Sequence, residues 1–218
     1  MFSSMATQML WQGTRETLYM VAVSVFISHL VGLPLGVFLT TTDKGHILQN
    51  VPVNKVLGAI VNVGRSIPFI ILMVAIIPFT RFVAGTSIGT TAAIVPLTVA
   101  AIPFVARLVE SALKEVDSGV IEAAQAMGST PFEIIRKVLL PEAMPSLVLG
   151  FTLTAVSLVG FSAMAGAIGG GGLGDLAIRF GYQRFRGDIM LQTVIVLVIL
   201  VQGIQTIGDW VSRRVNKR

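Results

Sequence analysis

Five apolar stretches set the terms on which this chain can fold. They cover residues 17–39, 57–79, 88–109, 146–168 and 189–207, and a helix that crosses a bilayer needs about 20 mostly apolar residues. The 218 residues are 54% hydrophobic and 12% charged, with a mean hydropathy of +0.83. A soluble domain carries about 25% charged residues. So few charges cannot cover a surface that faces water, and the solvent implied is a bilayer. An amphipathic region at residues 5–11 precedes the first stretch. Pro68 in the second stretch, and Pro96 and Pro103 in the third, are expected to kink their helices, because proline removes a backbone donor and crowds the preceding turn. In lipid such breaks survive only where protein or a cavity covers the freed carbonyls.

Five spans place the two termini on opposite sides of the membrane. The tail carries Arg213, Arg214, Lys217 and Arg218, which assigns it to the cytoplasm by the positive-inside rule. The N-terminus is then outside. On this topology Lys44, Lys55, Arg65, Arg107, Lys114, Arg136, Lys137 and the four tail residues are cytoplasmic, while Arg15, Arg81, Arg179, Arg184 and Arg186 are outside. The net charge of +5 is thereby explained by topology. No basic stripe with interleaved aromatics points to nucleic acid. Cysteine is absent, which excludes a disulfide framework, a thiol nucleophile and a cysteine metal site. Residues 1–13 hold no Lys or Arg, and no small-residue cleavage site follows the first apolar run, so that run is expected to be retained.

One polar segment interrupts this pattern with unusual local order. Residues 117–141 are assigned to the cytoplasmic side. Ser118 or Asp117 can cap a short helix running to about Met127. Ala123, Ala124 and Ala126 keep its sides thin, so another protein's backbone can come close. Gly128 suits the left-handed position that ends a helix. A second helix follows, with Thr130 as its cap, Pro131 at its first position and Glu133 completing a capping box. Lys137 stands four residues after Glu133, in the favourable order. Two short helices joined at a glycine make a rigid knob at the membrane surface.

The run Glu122-Ala-Ala-Gln-Ala-Met-Gly128, continuing to Val138-Leu-Leu-Pro141, resembles the "EAA" signature of bacterial ABC importer permeases. That signature reads Glu-Ala-Ala, three residues, Gly, nine residues, Ile, any residue, Leu-Pro. Every named position matches except the Ile, which is Val138. Arg65-Ser-Ile-Pro-Phe-Ile-Ile-Leu72, Ile77-Pro-Phe-Thr-Arg81, Gly85-Thr-Ser-Ile-Gly89, Ala93-Ile-Val-Pro-Leu-Thr98, Phe161-Ser-Ala-Met-Ala-Gly166 and Gly171-Gly-Leu-Gly174 look like the methionine branch of these permeases. The resemblance implies an all-α membrane protein with the type I ABC importer permease fold. It implies a single transmembrane domain, residues 1–218, of about five helices with a short cytoplasmic coupling-helix pair within residues 117–141. It also implies a second copy of the chain as partner, a cytoplasmic ATPase dimer that binds ATP and Mg, and an extracytoplasmic substrate-binding lipoprotein. The implied location is the bacterial inner membrane, and the implied substrates are L- and D-methionine. In such a chain Glu122, Ala123, Ala124, Gly128 and Pro141 are expected to couple to the ATPase. The chain itself is expected to bind no cofactor and no metal, and to catalyse nothing.

The fourth stretch suggests a pathway. Ser157, Gly160, Phe161 and Met164 follow at three- and four-residue spacing and so share a helix face. Gly160, Ala163 and Gly166 would let two copies of the helix approach. Met164, a large flexible side chain among small ones, suits a gate; simple packing is the alternative. Residues 169–174 formally contain G-x-G-x-x-G, but no strand or βαβ unit surrounds them, so a dinucleotide site is not implied. They read as a flexible, closely packed turn at the outer mouth, or as a plain membrane-edge loop. Arg65 looks the most buried of the charges, and either faces a cavity or snorkels to the cytoplasmic interface. His29 reads as a packing residue. Two rivals remain: a permease of the same kind for another small polar solute, and an ion-coupled secondary transporter. The second needs intramembrane carboxylates, and none sits at the centre of a stretch.

Overall fold

The computed structural model describes residues 4–216, so Lys217 and Arg218 of the basic tail lie outside it. Among the described residues the chain is helical, with no strand. Four long helices form the bundle: α1 (Ser4–Thr41), α5 (Thr90–Lys114), α9 (Met144–Gly166) and α11 (Gly187–Val215). The second stretch is α2 (Val51–Ser66) followed by α3 (Phe69–Ala75), bent by 99° at the intervening break. A short α4 (Ile77–Ala84) follows. Proline breaks the helix at the first of the three expected places. Pro68 stands just outside α3 as its N-cap, whereas α5 runs without interruption through Pro96 and Pro103.

The first helix begins well before its apolar stretch. Residues 5–11 are continuous with the first apolar stretch, because α1 is one helix of 38 residues. At 1.5 Å per residue it is about 57 Å long, well beyond the roughly 30 Å hydrocarbon core. Its docking on α5 depends on two glycines one turn apart, Gly32 and Gly36. A Cβ on Gly32 would come within 2.7 Å of the Val105 side chain, and one on Gly36 within 2.6 Å of the Val109 side chain. Helices in lipid gain little from hiding apolar area, so close backbone approach through small residues is what holds them. Gly32 with Val105 and Gly36 with Val109 advance together along both chains, so α1 and α5 run parallel. By contrast α9 and α11 are antiparallel: the Ser212 hydroxyl donates to the Pro145 carbonyl at 3.2 Å, and Gly208 leaves room for Thr152.

The bundle therefore has two distinct ends. At one end the start of α1, the α4–α5 loop and the turn after α9 meet, through Gly89 N–H on the Gly169 carbonyl at 2.9 Å and Gly172 N–H on Glu16 at 2.8 Å. At the other end lie the α1–α2 turn, residues 115–143 and the end of α11. There Lys114 pairs with Asp43 at 2.7 Å, and the Ser146 hydroxyl donates to Glu115 at 2.7 Å. One core cluster joins Met20, Phe69, Leu97, Leu158 and Ala165 among α1, α3, α5 and α9. A second holds Val105, Leu113, Val116, Ala124, Ile134 and Leu139, and fastens residues 117–141 to the foot of α5.

Candidate functional site

The knob read from the sequence is formed. Helix α6 (Ser118–Ala126) is capped by Asp117, whose Oδ1 accepts the Gly119 N–H at 2.7 Å. Gly128 then takes φ +79°, a region open to glycine and strained for other residues. An added Cβ there would meet nothing within 4 Å, so conformation and not space demands the glycine. Helix α7 (Pro131–Ile134) opens with the expected capping box. Thr130 N–H donates to Glu133 Oε2 at 3.1 Å, and Glu133 N–H donates back to Thr130 Oγ1 at 3.4 Å. Lys137 Nζ donates to Glu133 Oε1 at 2.9 Å. That ammonium, with the Thr130 backbone and hydroxyl, holds the Glu133 carboxyl down at about 2.

The chain stays helical through Pro141. A wider π-turn (Ile135–Leu139) leads into α8 (Leu140–Glu142), with Leu140 N–H on the Ile135 carbonyl. Such bulges absorb a residue where the ordinary ladder fails, and the ladder fails here because Pro141 has no N–H to donate.

Burial sorts the loop residues. Glu122, Ala123, Gly128 and Pro141 are exposed. Ala124 is 3% exposed and packs with Ile134 and Leu139 beneath it. Of the expected coupling residues it is the one that turns inward, fixing α6 to the bundle. Met127 and Phe132 were not singled out from the sequence, yet they are 79% and 68% exposed. Their signal was a large apolar side chain within a polar, solvent-side knob.

The α9 face divides. Gly160 has no atom near its missing Cβ, and Met164 is 48% exposed, so its own chain covers only about half of Met164. Leu149 and Leu153 continue the same open stripe. Ser157 is half-buried, and Phe161 is drawn aside to stack on Phe69 at 4.8 Å and 8°. Ala163 and Gly166 do not serve approach between copies. Both lie against α10 (Gly172–Leu176) of their own chain, where a Cβ on Gly166 would strike Gly174 and Asp175, and one on Gly174 would strike Ala163. The 169–174 turn is pinned. Gly171 and Gly172 take φ +77° and +76°, and Glu16 and Thr17 accept the Gly172 and Leu173 N–H groups at 2.8 and 2.9 Å. A second π-turn (Ala177–Tyr182) then leads to α11.

Arg65 is exposed, not buried. It borders a cleft of about 400 Å³ with Phe104, Arg107, Ser111 and Lys114. His29 is a packing residue, with Nδ1 2.9 Å from the Val25 carbonyl and its ring on Phe151 at 4.7 Å.

Residues 32–218 match the family model described as the binding-protein-dependent transport system inner membrane component. The chain belongs to that family. Among its relatives in the family, a probable D-methionine transport system permease protein of Vibrio cholerae is 59% identical over 212 residues, covering 97% of this chain and 94% of the relative. A methionine import system permease protein of Bacillus subtilis is 47% identical over 209 residues, covering 96% and 94%. A structure of an inward-facing methionine ABC transporter superposes with TM-score 0.97 at 52% identity, over 99% of this chain and 100% of that one. An amino acid ABC transporter solved with histidines shares the fold at TM-score 0.79 and 22% identity, over 98% of both chains. The all-α membrane fold of the type I importer permeases, expected from the sequence, is the fold this family member has.

Proposed function

We propose that this chain is the membrane-spanning subunit of an ATP-driven methionine importer, taking both the L and D forms, in the bacterial inner membrane. The supporting observation is the exposed knob of Glu122, Ala123 and Gly128, fastened by buried Ala124, Ile134 and Leu139 to the foot of α5, in a chain 59% identical to a probable D-methionine permease. The chain works as a homodimer. The knob docks on a cytoplasmic ATPase dimer that binds ATP and Mg, and an extracytoplasmic lipoprotein delivers substrate. No step of ATP hydrolysis falls to this chain. The N-terminus is outside and the C-terminus inside, which puts the knob on the ATPase side.

The mechanism follows from the packing. Close-packed interiors move as rigid bodies between discrete arrangements. Nucleotide binding closes the ATPases and displaces the knob, and α5 and α9 move with it. The pathway between the two copies then opens outward, and hydrolysis returns it to the inward state. Ser157, Gly160, Phe161 and Met164 line that pathway, with Met164 at the constriction.

Reconstituted with the ATPase and binding protein, the complex is expected to accumulate labelled L- and D-methionine only with ATP. ATP-dependent uptake of another small polar solute, with no competition by methionine, would replace the substrate. Uptake driven by an ion gradient without ATP would replace the class. Gly128→Asp is expected to abolish uptake while the protein still inserts. Normal transport by that variant would remove the loop from coupling.

A further inference from the structure

One carboxylate sits where a charge is least expected. Glu110, on α5, is 6% exposed, and it is the one buried charged residue among those described. An unpaired buried carboxylate is costly, and pairing offsets the cost only when its oxygens are satisfied. Both are: Oε2 accepts from Arg107 Nη1 at 2.5 Å, and Oε1 accepts from Lys114 Nζ at 2.9 Å. Each cation reaches further. Arg107 Nη2 donates to Asn62 Oδ1 at 2.7 Å and to the Gly58 carbonyl at 3.4 Å, both on α2. Lys114 Nζ donates to Asp43 Oδ2 at 2.7 Å, in the turn after α1. Asn54 Nδ2 then ties α2 to the end of α1, on the Leu39 carbonyl at 2.6 Å and the Thr42 hydroxyl at 3.2 Å. A single buried group thus joins α5 to α2 and to the α1–α2 turn.

Its position along the chain gives this network a direction. Lys114 is the last residue of α5, and Asp117 caps α6, the first helix of the knob. In the other direction α2 runs to the 99° break before α3, whose Phe69 stacks on Phe161 of α9.

We propose that Glu110 is a positioning residue for transport, the hub through which displacement of the knob reaches α2 and the α1–α2 turn. Arg107 and Lys114 carry the link on either side, and Asn62 receives it on α2. The inference rests on the knob being the ATPase-coupling element. A group that only holds the fold lowers hydrolysis and uptake together. A group that transmits movement lowers the substrate moved per ATP hydrolysed.

The test measures ATP hydrolysis and methionine uptake in the same proteoliposomes, using the assembled transporter. Glu110→Gln keeps the shape and removes the charge. It is expected to retain hydrolysis and lower uptake per ATP about tenfold, within the usual range of coupling between sites. Asn62→Leu changes an exposed residue and leaves Glu110 paired. It is expected to lower uptake per ATP several-fold with an unchanged unfolding midpoint. Unchanged uptake per ATP in Asn62→Leu overturns the proposal, whether or not Glu110→Gln assembles. Parallel loss of hydrolysis and uptake with a lowered midpoint in both variants overturns it too. Gly128→Asp separates the two readings: normal transport there sinks the coupling knob. Uncoupling there beside normal Asn62→Leu sinks the relay alone.

Discussion

Gly172 donates its backbone N–H to Glu16 Oε2 at 2.8 Å, joining residues 156 apart in sequence. Leu173 N–H follows on Thr17 Oγ1 at 2.9 Å. The first N–H groups of a helix have no partner within it, and a carboxylate is favoured at that positive end, so α1 caps α10. Gly172 is itself buried, so water cannot readily replace a lost partner of its N–H. Glu16→Ala is expected to cost about 1–3 kcal/mol, the range for an orphaned buried donor. Glu16→Gln, which keeps an acceptor, should cost less. Unfolding midpoints in detergent check the order, together with protease cleavage within residues 169–174. Equal midpoints for Glu16→Ala and the parent would refute the cap.

A second expectation concerns the α1–α5 seam. Gly36→Ala would set a Cβ 2.6 Å from the Val109 Cβ, and overpacking a tight contact costs about 1–3 kcal/mol. Val109→Gly removes the obstructing Cβ and its methyl groups and leaves the Ala106 carbonyl at 2.7 Å, so the double variant should recover part of the loss. A double-mutant cycle of unfolding free energies measures that coupling. Purely additive effects would show that the glycine serves something other than this contact.

The capping box gives a pH window. The Glu133 carboxyl stands at about 2 against an ordinary 4.5, first through Lys137 and then through Thr130. A carboxyl whose pKa is depressed on folding contributes stability that is full above its unfolded value and is lost as pH falls through its folded value. The loop is therefore expected to hold unchanged from neutral pH to about 5 and to loosen between about 4.5 and 2. The chain has no cysteine, so a fluorophore on Met127→Cys reports this locally. Glu133→Gln should flatten the response in that window. An unaltered response would assign the acid transition to other carboxylates.

What the sequence disclosed and what it hid follow one physical division. Signals local to a few residues survived intact. Asp117, Gly128, Thr130, Pro131 and Glu133 each do what their chemistry dictates within one helical turn, and apolar length located the four long helices but not the 99° break in the second stretch. Contacts between distant segments were not legible. Gly32 and Gly36 are a small-residue pair one turn apart, a signal present in the sequence but with nothing to name Val105 and Val109 as its partners. Ala163 and Gly166 have the same composition and suggested contact between copies, yet α10 of the same chain takes that space. Arg65 looked buried because its neighbours are apolar, but it lies at the open rim of a cleft that Arg107 and Lys114 also line. Glu110 went unremarked for the opposite reason: near Arg107 and Lys114 it resembles a solvated helix face until the fold closes over it.

The last expectation is the pathway itself. Met164 is 48% exposed and Gly160 faces open space, on one stripe with Leu149 and Leu153. Two things can cover that stripe: lipid, or a second copy across a two-fold axis, where a residue near the axis meets its own counterpart. Met164→Cys distinguishes these, since no native cysteine interferes. With the outer gate shut in the inward-facing state, the two introduced thiols should crosslink efficiently. The crosslink should fade when a nonhydrolysable nucleotide holds the ATPases closed and the pathway opens outward. Leu153→Cys serves as the control. It lies about 16 Å along the same helix, at 1.5 Å per residue, and reports the stripe away from the constriction. Crosslinking at residue 164 that ignores nucleotide would make the contact a static interface. None at all in a folded dimer would give the stripe to lipid.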